Sequence, residues 1–408
     1  MMKSPAVLTV IFILSIFQMI LLKAHPFFGF LDEALTIWAL FQIISKPLTN
    51  IHKKMMIIIC ILVIYGILCN FLCEIQTKWS VILNDIGNCF KVFITYIGSC
   101  AYFRNQMTAY RVRKFSINII NFLWLLIPIM FVCGLINIFY DIGMRHDLRH
   151  GFYSFRFIYD GSGDLAMLFY SIVFVFTIYQ LFYRTKDKAN VILMAMIFFV
   201  WLSTMRSRAF LFTVFYFIAY YYAIMQKKQI KINAKTVLFC IVLFILICAD
   251  QASLYMENDL TARYNLLNTG IEIMKSYFPI GTGFGTYGTD VAAKNYSTLY
   301  YRYGLYLVWG LSPDDPQFAH DNYWPAIMGQ FGLIGVIGFI LLIYYLFKDM
   351  IKMTFNYRYL KLGVVFICFT QIVASFATAV FFHFVTVFLM FWVAMILSGL
   401  RNNILYNK

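Results

Sequence analysis

The residues best suited to chemistry lie in a few short stretches. Phe318-Ala-His-Asp-Asn-Tyr-Trp324 holds His320, the single histidine between Asp250 and Asn322, with Asp314, Asp315 and Asp321 near it in sequence. Imidazole changes charge near neutral pH, and a carboxylate that orients it raises its basicity. That arrangement suits a general base acting on a sugar hydroxyl, although a lone loop histidine is often only a hydrogen-bonded residue. Ser203-Thr-Met-Arg-Ser-Arg-Ala-Phe210 puts Arg206 and Arg208 in a tight turn between two apolar runs. Charge this close to hydrocarbon is costly and faces a cavity or a partner. Arg263 opens a stretch, Thr261 to Tyr277, in which Leu267, Ile271, Met274 and Phe278 fall at i, i+4, i+7 and i+11. The spacing predicts an amphipathic helix lying on a membrane surface, with Arg263 on the same face. Asp259 or Thr261 would cap it and Pro279 would end it.

Other stretches read less sharply. Asp141 to Gly163 carries Arg145, Arg149 and Arg156, with His146 and His150 as weaker candidates. Arginine offers a planar fork of donors that fits diphosphate oxygens, and the alternative for each is snorkelling to lipid headgroups. Gly281-Thr-Gly-Phe-Gly-Thr-Tyr-Gly288 contains a GxGxxG pattern with no strand before it and no GK[ST] after it. A dinucleotide fingerprint is therefore excluded; a turn whose N–H groups approach phosphate and a purely structural turn both stay open. Tyr287, Tyr296, Tyr300, Tyr301, Tyr303, Tyr306 and Trp309 either stack on sugar faces or form an interfacial aromatic belt. Asp85 and Lys91 stand inside an apolar run, too far apart to share a helix face, so each needs its own cavity or partner.

The elements that must position these residues are membrane spans. Of the 408 residues, 62% are hydrophobic and only 12% charged, with mean hydropathy +0.76. A water-soluble surface needs roughly a quarter to a third of its residues charged, so most of this surface faces lipid. About a dozen runs are long enough to cross a bilayer. They are Pro5–Leu22, Phe30–Ser45, Met55–Cys73, Trp79–Phe103, Ile117–Tyr140, Asp164–Tyr183, Asn190–Thr204, Ala209–Met225, Thr236–Ala249, Tyr323–Phe347, Leu362–Val380 and Phe384–Leu400. Lys23-Ala24-His25-Pro26 is a poor cleavage site, so the first run reads as a retained helix. Every second connection is short and basic, which by the positive-inside rule places both termini in the cytoplasm. That sorting also accounts for the net charge of +15 without nucleic acid. Two connections remain on the outer side, 141–163 and the much longer 250–322, within one transmembrane domain spanning 1–408. The nine cysteines form no CxxC or Cys/His cluster, and no internal repeat is evident.

Taken in order, these features resemble the O-antigen polymerase and O-antigen ligase superfamily. The match rests on the Ser207-Arg208 turn opening a helix and on Arg263 leading to Pro279-Ile-Gly-Thr-Gly-Phe-Gly285. It continues with His320-Asp-Asn-Tyr-Trp324 leading to Gly329-Gln-Phe-Gly-Leu-Ile-Gly335. Together they cover about a third of the chain. Asp141 to Tyr159 is also similar to the Arg- and aromatic-rich outer segment of polysaccharide-unit polymerases. Asp321 departs from the pattern, because many relatives follow the histidine with Asn or Ser; this leaves the role of Asn322 open.

The resemblance implies an all-α, GT-C-like membrane protein of the bacterial inner membrane with a large periplasmic loop. It implies an inverting, metal-independent glycosyltransferase without a cofactor. A growing glycan on undecaprenyl diphosphate is the donor, and a hydroxyl of the acceptor sugar attacks its anomeric carbon. Carried over by position, Arg208 and Arg263 bind the diphosphate, and His320 positions or deprotonates the acceptor. Arg206, Arg145, Arg149, Arg156 and Asp321 are secondary substrate-binding candidates. The Arg-rich outer segment favours a polymerase joining lipid-linked repeat units into O-antigen, with a chain-length regulator as a candidate partner. The alternatives are a ligase that uses lipid A–core as acceptor, and a lipid-linked-oligosaccharide flippase.

Overall fold

The computed structural model describes residues 4–149, 151–183, 187–227, 261–354 and 357–406. Among these residues, nine helices are long and apolar enough to cross a membrane: Pro5–Ala24, Pro26–Ser45, Asn50–Cys73, Ala109–Phe139, Ser162–Phe182, Ser207–Met225, Tyr323–Lys352, Arg358–Ser375 and Phe384–Arg401. Of the other expected spans, Trp79–Phe103 forms a 25-residue helix that carries Asn84, Asp85, Asn88 and Lys91. Lys188–Leu202 is a shorter apolar helix of 15 residues. Thr236–Ala249 lies outside the described residues, as do His150, Arg184, Lys186, Lys228, Lys231, Lys235, Cys240, Cys248, Asp259 and Lys408.

Helices are numbered in chain order: α1 (Pro5–Ala24), α2 (Leu31–Ser45), α3 (Asn50–Cys73), α4 (Trp79–Phe103), α5 (Ala109–Phe139), α6 (Ser162–Phe182), α7 (Lys188–Leu202) and α8 (Ser207–Tyr220). After the gap come α9 (Ala262–Ser276), α10 (Asp290–Lys294), α11 (Thr298–Arg302), α12 (Tyr323–Lys352), α13 (Arg358–Ser375) and α14 (Phe384–Tyr406). Several begin before their hydrocarbon runs because a polar cap starts them there. The side chains of Thr49 and Thr108 accept the N–H groups of His52 and Arg111, satisfying donors that a helix start leaves unpaired.

The spans in the middle of the bundle are α4, α6 and α14. In the most apolar windows of α6 and α14, 83% and 89% of residues are buried, against 28% for α1 and α3. Peripheral helices can turn Ile37, Ile44, Ile61 and Leu72 outward, since lipid accepts apolar side chains that water would not. The closest crossing joins α2 and α4. A Cβ on Gly98 would stand 2.2 Å from the Ala39 carbonyl oxygen, so only glycine fits there. Phe115 stacks on Trp392 at 5.5 Å, tying α5 to α14.

The otherwise helical architecture carries a small β-hairpin in the connection 141–163. Arg145–Arg149 (β1) and Phe152–Phe155 (β2) pair as an antiparallel hairpin. Phe155 N–H donates to the Ser203 carbonyl at 2.9 Å, fastening the hairpin to the Arg206/Arg208 turn.

Over 261–322 the long connection has a small core of its own, built by Leu266, Ile273, Tyr287, Tyr300, Leu305 and Leu311. Thr261 caps α9, accepting Tyr264 N–H at 3.4 Å. The face that α9 buries is Ala262, Leu266, Thr269, Gly270 and Ile273, not the Leu267/Ile271/Met274/Phe278 stripe, of which Phe278 is exposed. The reason is the fit against α12: at Gly270 a Cβ would sit 3.0 Å from the Pro325 carbonyl. The aromatics divide accordingly. Tyr287 and Tyr300 are buried, whereas Tyr301 and Trp309 are exposed.

The glycine-rich turn 281–288 is structural. Gly332 breaks α12 with φ 58° and ψ −159°, freeing carbonyls of the preceding turn. Thr282 and Gly283 donate their N–H groups to the carbonyls of Gly329 and Gln330 at 3.1 and 2.8 Å. Phe284 N–H donates to Asn70 Oδ1 and Gly285 N–H to Asp85 Oδ2, at 2.8 and 2.7 Å. Gly288 N–H donates to the Tyr300 hydroxyl at 2.9 Å. With these donors committed to protein acceptors, the turn is not a phosphate cradle. Asp85 thereby finds its partner in a loop two hundred residues away in sequence.

Candidate functional site

One end of the bundle contains a cavity of about 480 Å³, within the range of ligand sites. Arg206 and Arg208 reach it from the start of α8, Arg263 from α9, and His320 and Asp321 from the segment before α12. Sequence alone could not bring these together, because the distances from 206 to 320 are tertiary. The arginine turn is sharp because Met205 takes a left-handed backbone, φ 51°, uncommon for a residue with a side chain. Gly163 at the start of α6 leaves room for both guanidinium groups; a Cβ there would stand 3.3 Å from Arg208 Nη2 and 3.6 Å from Arg206 Nη2.

Each arginine is held. Arg206 Nε donates to Ser162 Oγ at 2.9 Å. Arg208 donates to Thr378 Oγ1 at 3.2 Å and to the Gly163 carbonyl at 3.5 Å. Arg263 donates through Nε and Nη2 to a single oxygen, Asp321 Oδ2, at 3.0 and 2.8 Å. Burial first, then Arg149 and Arg208, push Arg206 down to about 9, with Asp147 opposing; it still carries its charge at neutral pH.

The secondary arginines separate. Arg149 reaches the site only through Asp147, which it pairs with at 3.0 Å and which stands 3.7 Å from Arg206. Burial works to raise the Asp147 carboxyl, but the Arg149 hydrogen bond together with His146 and Arg206 holds it below the usual range. Arg145 bonds the Asn137 carbonyl and packs on Tyr153 at 4.7 Å, and Arg156 bonds the Gly143 carbonyl at 3.2 Å. Both brace the hairpin, and neither lines the cavity.

His320 stands apart from the carboxylates expected to orient it. No hydrogen bond joins it to Asp321, Asp314 or Asp315. Asp321 is taken by Arg263, and Asp315 accepts from Gln317 at 3.0 Å. His320 Nδ1 is buried without a hydrogen-bond partner among the described residues, as is Asn322 Oδ1. An imidazole left unoriented costs free energy and suits a site that binds something polar.

Sequence reasoning missed Asp32, Glu33, Asn88, Asp164, Thr378 and His383, which line the cavity beside Lys91. Lys91 pairs with Asp32 at 2.9 Å, with 11% and 3% of the side chains exposed, so the two intramembrane charges neutralise each other across α2 and α4. His383 accepts Val385 N–H on Nδ1 at 3.3 Å, and its Nε2 stands 3.9 Å from Asp164 Oδ1. Burial, then Lys91, hold this histidine below its usual range, with Asp32 opposing. Thr378 and His383 escaped notice because the run Leu362–Val380 reads as one span. The helix stops at Ser375, and residues 376–383 form an irregular lip with a short 3-10 helix, Val380–Phe382, that brings Thr378 and His383 to the cavity. A hydrophobic run interrupted by Thr378 and His383 was the available signal.

Metal-type donors gather elsewhere among the described residues: His52, Cys100 and Asp349, at the opposite end of the bundle. A scan against protein-family models finds no match, and a search of curated proteins finds none either.

Proposed function

We propose that the protein is a membrane glycosyltransferase that polymerises glycan units carried on undecaprenyl diphosphate, acting at the periplasmic face of the bacterial inner membrane. The observation that carries this reading is the convergence of Arg206, Arg208 and Arg263 with His320 on one cavity among membrane-capable helices. Guanidinium groups on separate elements match a diphosphate, whose oxygens point in several directions. Fixed in advance by Ser162, Thr378 and Asp321, they would stabilise charge growing on the leaving group without a reorganisation cost.

In the reaction, an acceptor hydroxyl attacks the anomeric carbon of the donor sugar from the face opposite the diphosphate. The C–O bond to phosphate breaks, undecaprenyl diphosphate leaves with the electron pair, and the hydroxyl proton passes to His320. Arg208 and Arg206 lie nearest the α6 start and would hold one phosphate, Arg263 the other. Asp321 serves by aiming Arg263, not by orienting His320. The Asp164–His383 pair is the second acid–base couple on the same wall and would bind acceptor hydroxyls.

The decisive assay uses purified full-length protein with lipid-linked repeat units and follows polymer length. His320→Ala should abolish elongation while retaining donor binding. Unchanged polymer from this variant would remove the catalytic reading. The ligase differs only in acceptor: a deletion strain that still places single repeat units on its core supports the polymerase, and bare core supports the ligase.

A further inference from the structure

The end of the bundle remote from the candidate active site gathers three side chains with metal-binding chemistry, one from each of three helices. His52 stands in the first turn of α3, Cys100 in the last turn of α4 and Asp349 in the last turn of α12. On α4, Cys100 lies nine residues beyond Lys91 and hence about 14 Å away along the helix axis. The three residues are 3%, 3% and 5% exposed, and their ligand atoms all lie within 4.8 Å of one another. Buried polar groups are costly to bring to one point unless they are used there.

The spacing suits a small ion. His52 Nε2 stands 3.0 Å from Asp349 Oδ2. Donor atoms around tetrahedral zinc stand roughly 3.3–3.6 Å apart, between that contact and the 4.8 Å limit. A recess of about 10 Å³ is lined by all three residues, room for one ion or one water. A hydrogen-bonded His52–Asp349 pair accounts for two of the three groups. It does not account for Cys100 reaching the same point, or for all three lining one ion-sized space.

The surrounding groups agree. The Tyr96 hydroxyl donates to Asp349 Oδ2 at 2.9 Å, and the Ser398 hydroxyl hydrogen-bonds Cys100. Each of the two acidic ligands thus has a hydroxyl that aims it, as the outer partners of metal ligands do. Imidazole with thiolate suits zinc, whereas magnesium and calcium take oxygen ligands. Arg104 and Arg401 also line the recess and oppose a bare cation. A thiolate and a carboxylate together cancel the charge of a divalent ion, so the arginines face a neutral complex.

We propose that His52, Cys100 and Asp349 bind a zinc ion, with water as the fourth ligand, and that the ion ties α3, α4 and α12 together. Cys100 binds as the thiolate, and its proton passes to solvent as the ion enters. The effect is mechanical and independent of the reaction proposed above. Asn88 and Lys91 of α4 line the candidate cavity, and α12 begins just after Asp321, so the ion fixes the far ends of two helices that frame it.

The test uses the full-length protein in detergent, stripped with a chelator and titrated separately with zinc, cobalt(II) and magnesium. Bound metal is counted by inductively coupled plasma mass spectrometry, cobalt coordination is read by absorption, and stability by thermal unfolding. Wild type should take up one zinc per chain, and zinc should raise its unfolding temperature. Cobalt(II) should show a sulfur-to-metal charge-transfer band with the d–d bands of a four-coordinate site. Cys100→Ala, which keeps the His52–Asp349 contact, should lose that band and weaken zinc binding about a hundredfold or more, beyond the cost of losing an outer partner. Ser398→Ala keeps all three ligands and serves if the first variant does not fold; it should weaken zinc binding about tenfold. Cys60→Ala, at an exposed thiol that does not line the recess, should change neither readout. The proposal is overturned if wild type retains no zinc, if the band survives in Cys100→Ala, or if Cys60→Ala loses as much. Undiminished zinc binding in Ser398→Ala, or magnesium bound as tightly as zinc, would also overturn it.

Discussion

Asp321 gives the sharpest test, because the sequence and the structure assign it different partners. The sequence suggests that it orients His320; the structure pairs it with Arg263 through contacts of 3.0 and 2.8 Å. The two side chains are 31% and 26% exposed. An exposed pair contributes roughly 0.2–1 kcal/mol, whereas breaking a buried one costs about 3–5 kcal/mol. This half-sheltered pair falls between them, at about 1–2 kcal/mol. Each ~1.4 kcal/mol is tenfold in rate, so Asp321→Asn should lower kcat/KM about tenfold in the elongation assay. Arg263→Gln should cost about a hundredfold or more, as loss of a donor to developing charge does. If Asp321 works through Arg263, the double variant should be no slower than Arg263→Gln alone. Multiplied losses for that pair, together with no further loss from Asp321→Asn in a His320→Ala background, would refute the reasoning and restore the histidine partnership.

Three further outcomes are expected. Gly332→Ala should lower stability by roughly 3 kcal/mol and depress the unfolding temperature in detergent, because an L residue is strained at φ 58° and its Cβ would sit 2.5 Å from the Ile280 carbonyl. Lys91→Met should cost about 3–5 kcal/mol by stranding a nearly buried Asp32, and Lys91→Met/Asp32→Asn should recover most of it, both read by thermal unfolding. His383 is held below the usual range when folded, so the unfolded chain takes up its proton first as pH falls. The stability this gives is present above about pH 6.5 and is lost below it, so His383→Gln should show a smaller drop in unfolding temperature between pH 7 and pH 5 than wild type.

Nine of the dozen expected spans were legible as membrane-capable helices among the described residues, because hydrocarbon thickness imposes a minimum apolar length that composition displays directly. The Thr261 cap and the Arg206/Arg208 turn were legible for similar local reasons. The face that α9 packs against α12 was not legible, because two apolar stripes, Leu266/Ile273 and Leu267/Ile271, run side by side on it. Only Gly270, fitting against Pro325, selects between them. The lip after Ser375 was hidden for a different reason: inside a membrane protein, an apolar run need not be one helix when a cavity accepts the irregular backbone.

The sequence by itself determined that this chain carries helices long and apolar enough to cross a membrane, and which side chains are too costly to be idle there: Arg206, Arg208, Asp85 and Lys91. It could not say what each one meets. Tertiary structure gave Asp85 to the backbone of Gly285, Lys91 to Asp32, and Asp321 to Arg263, and it set His320 in the same cavity with Nδ1 unpaired among the described residues. The physical reason is that hydrophobic length is a local property of the chain. Charge compensation in a medium of low dielectric is a pairwise one, settled only when distant segments pack.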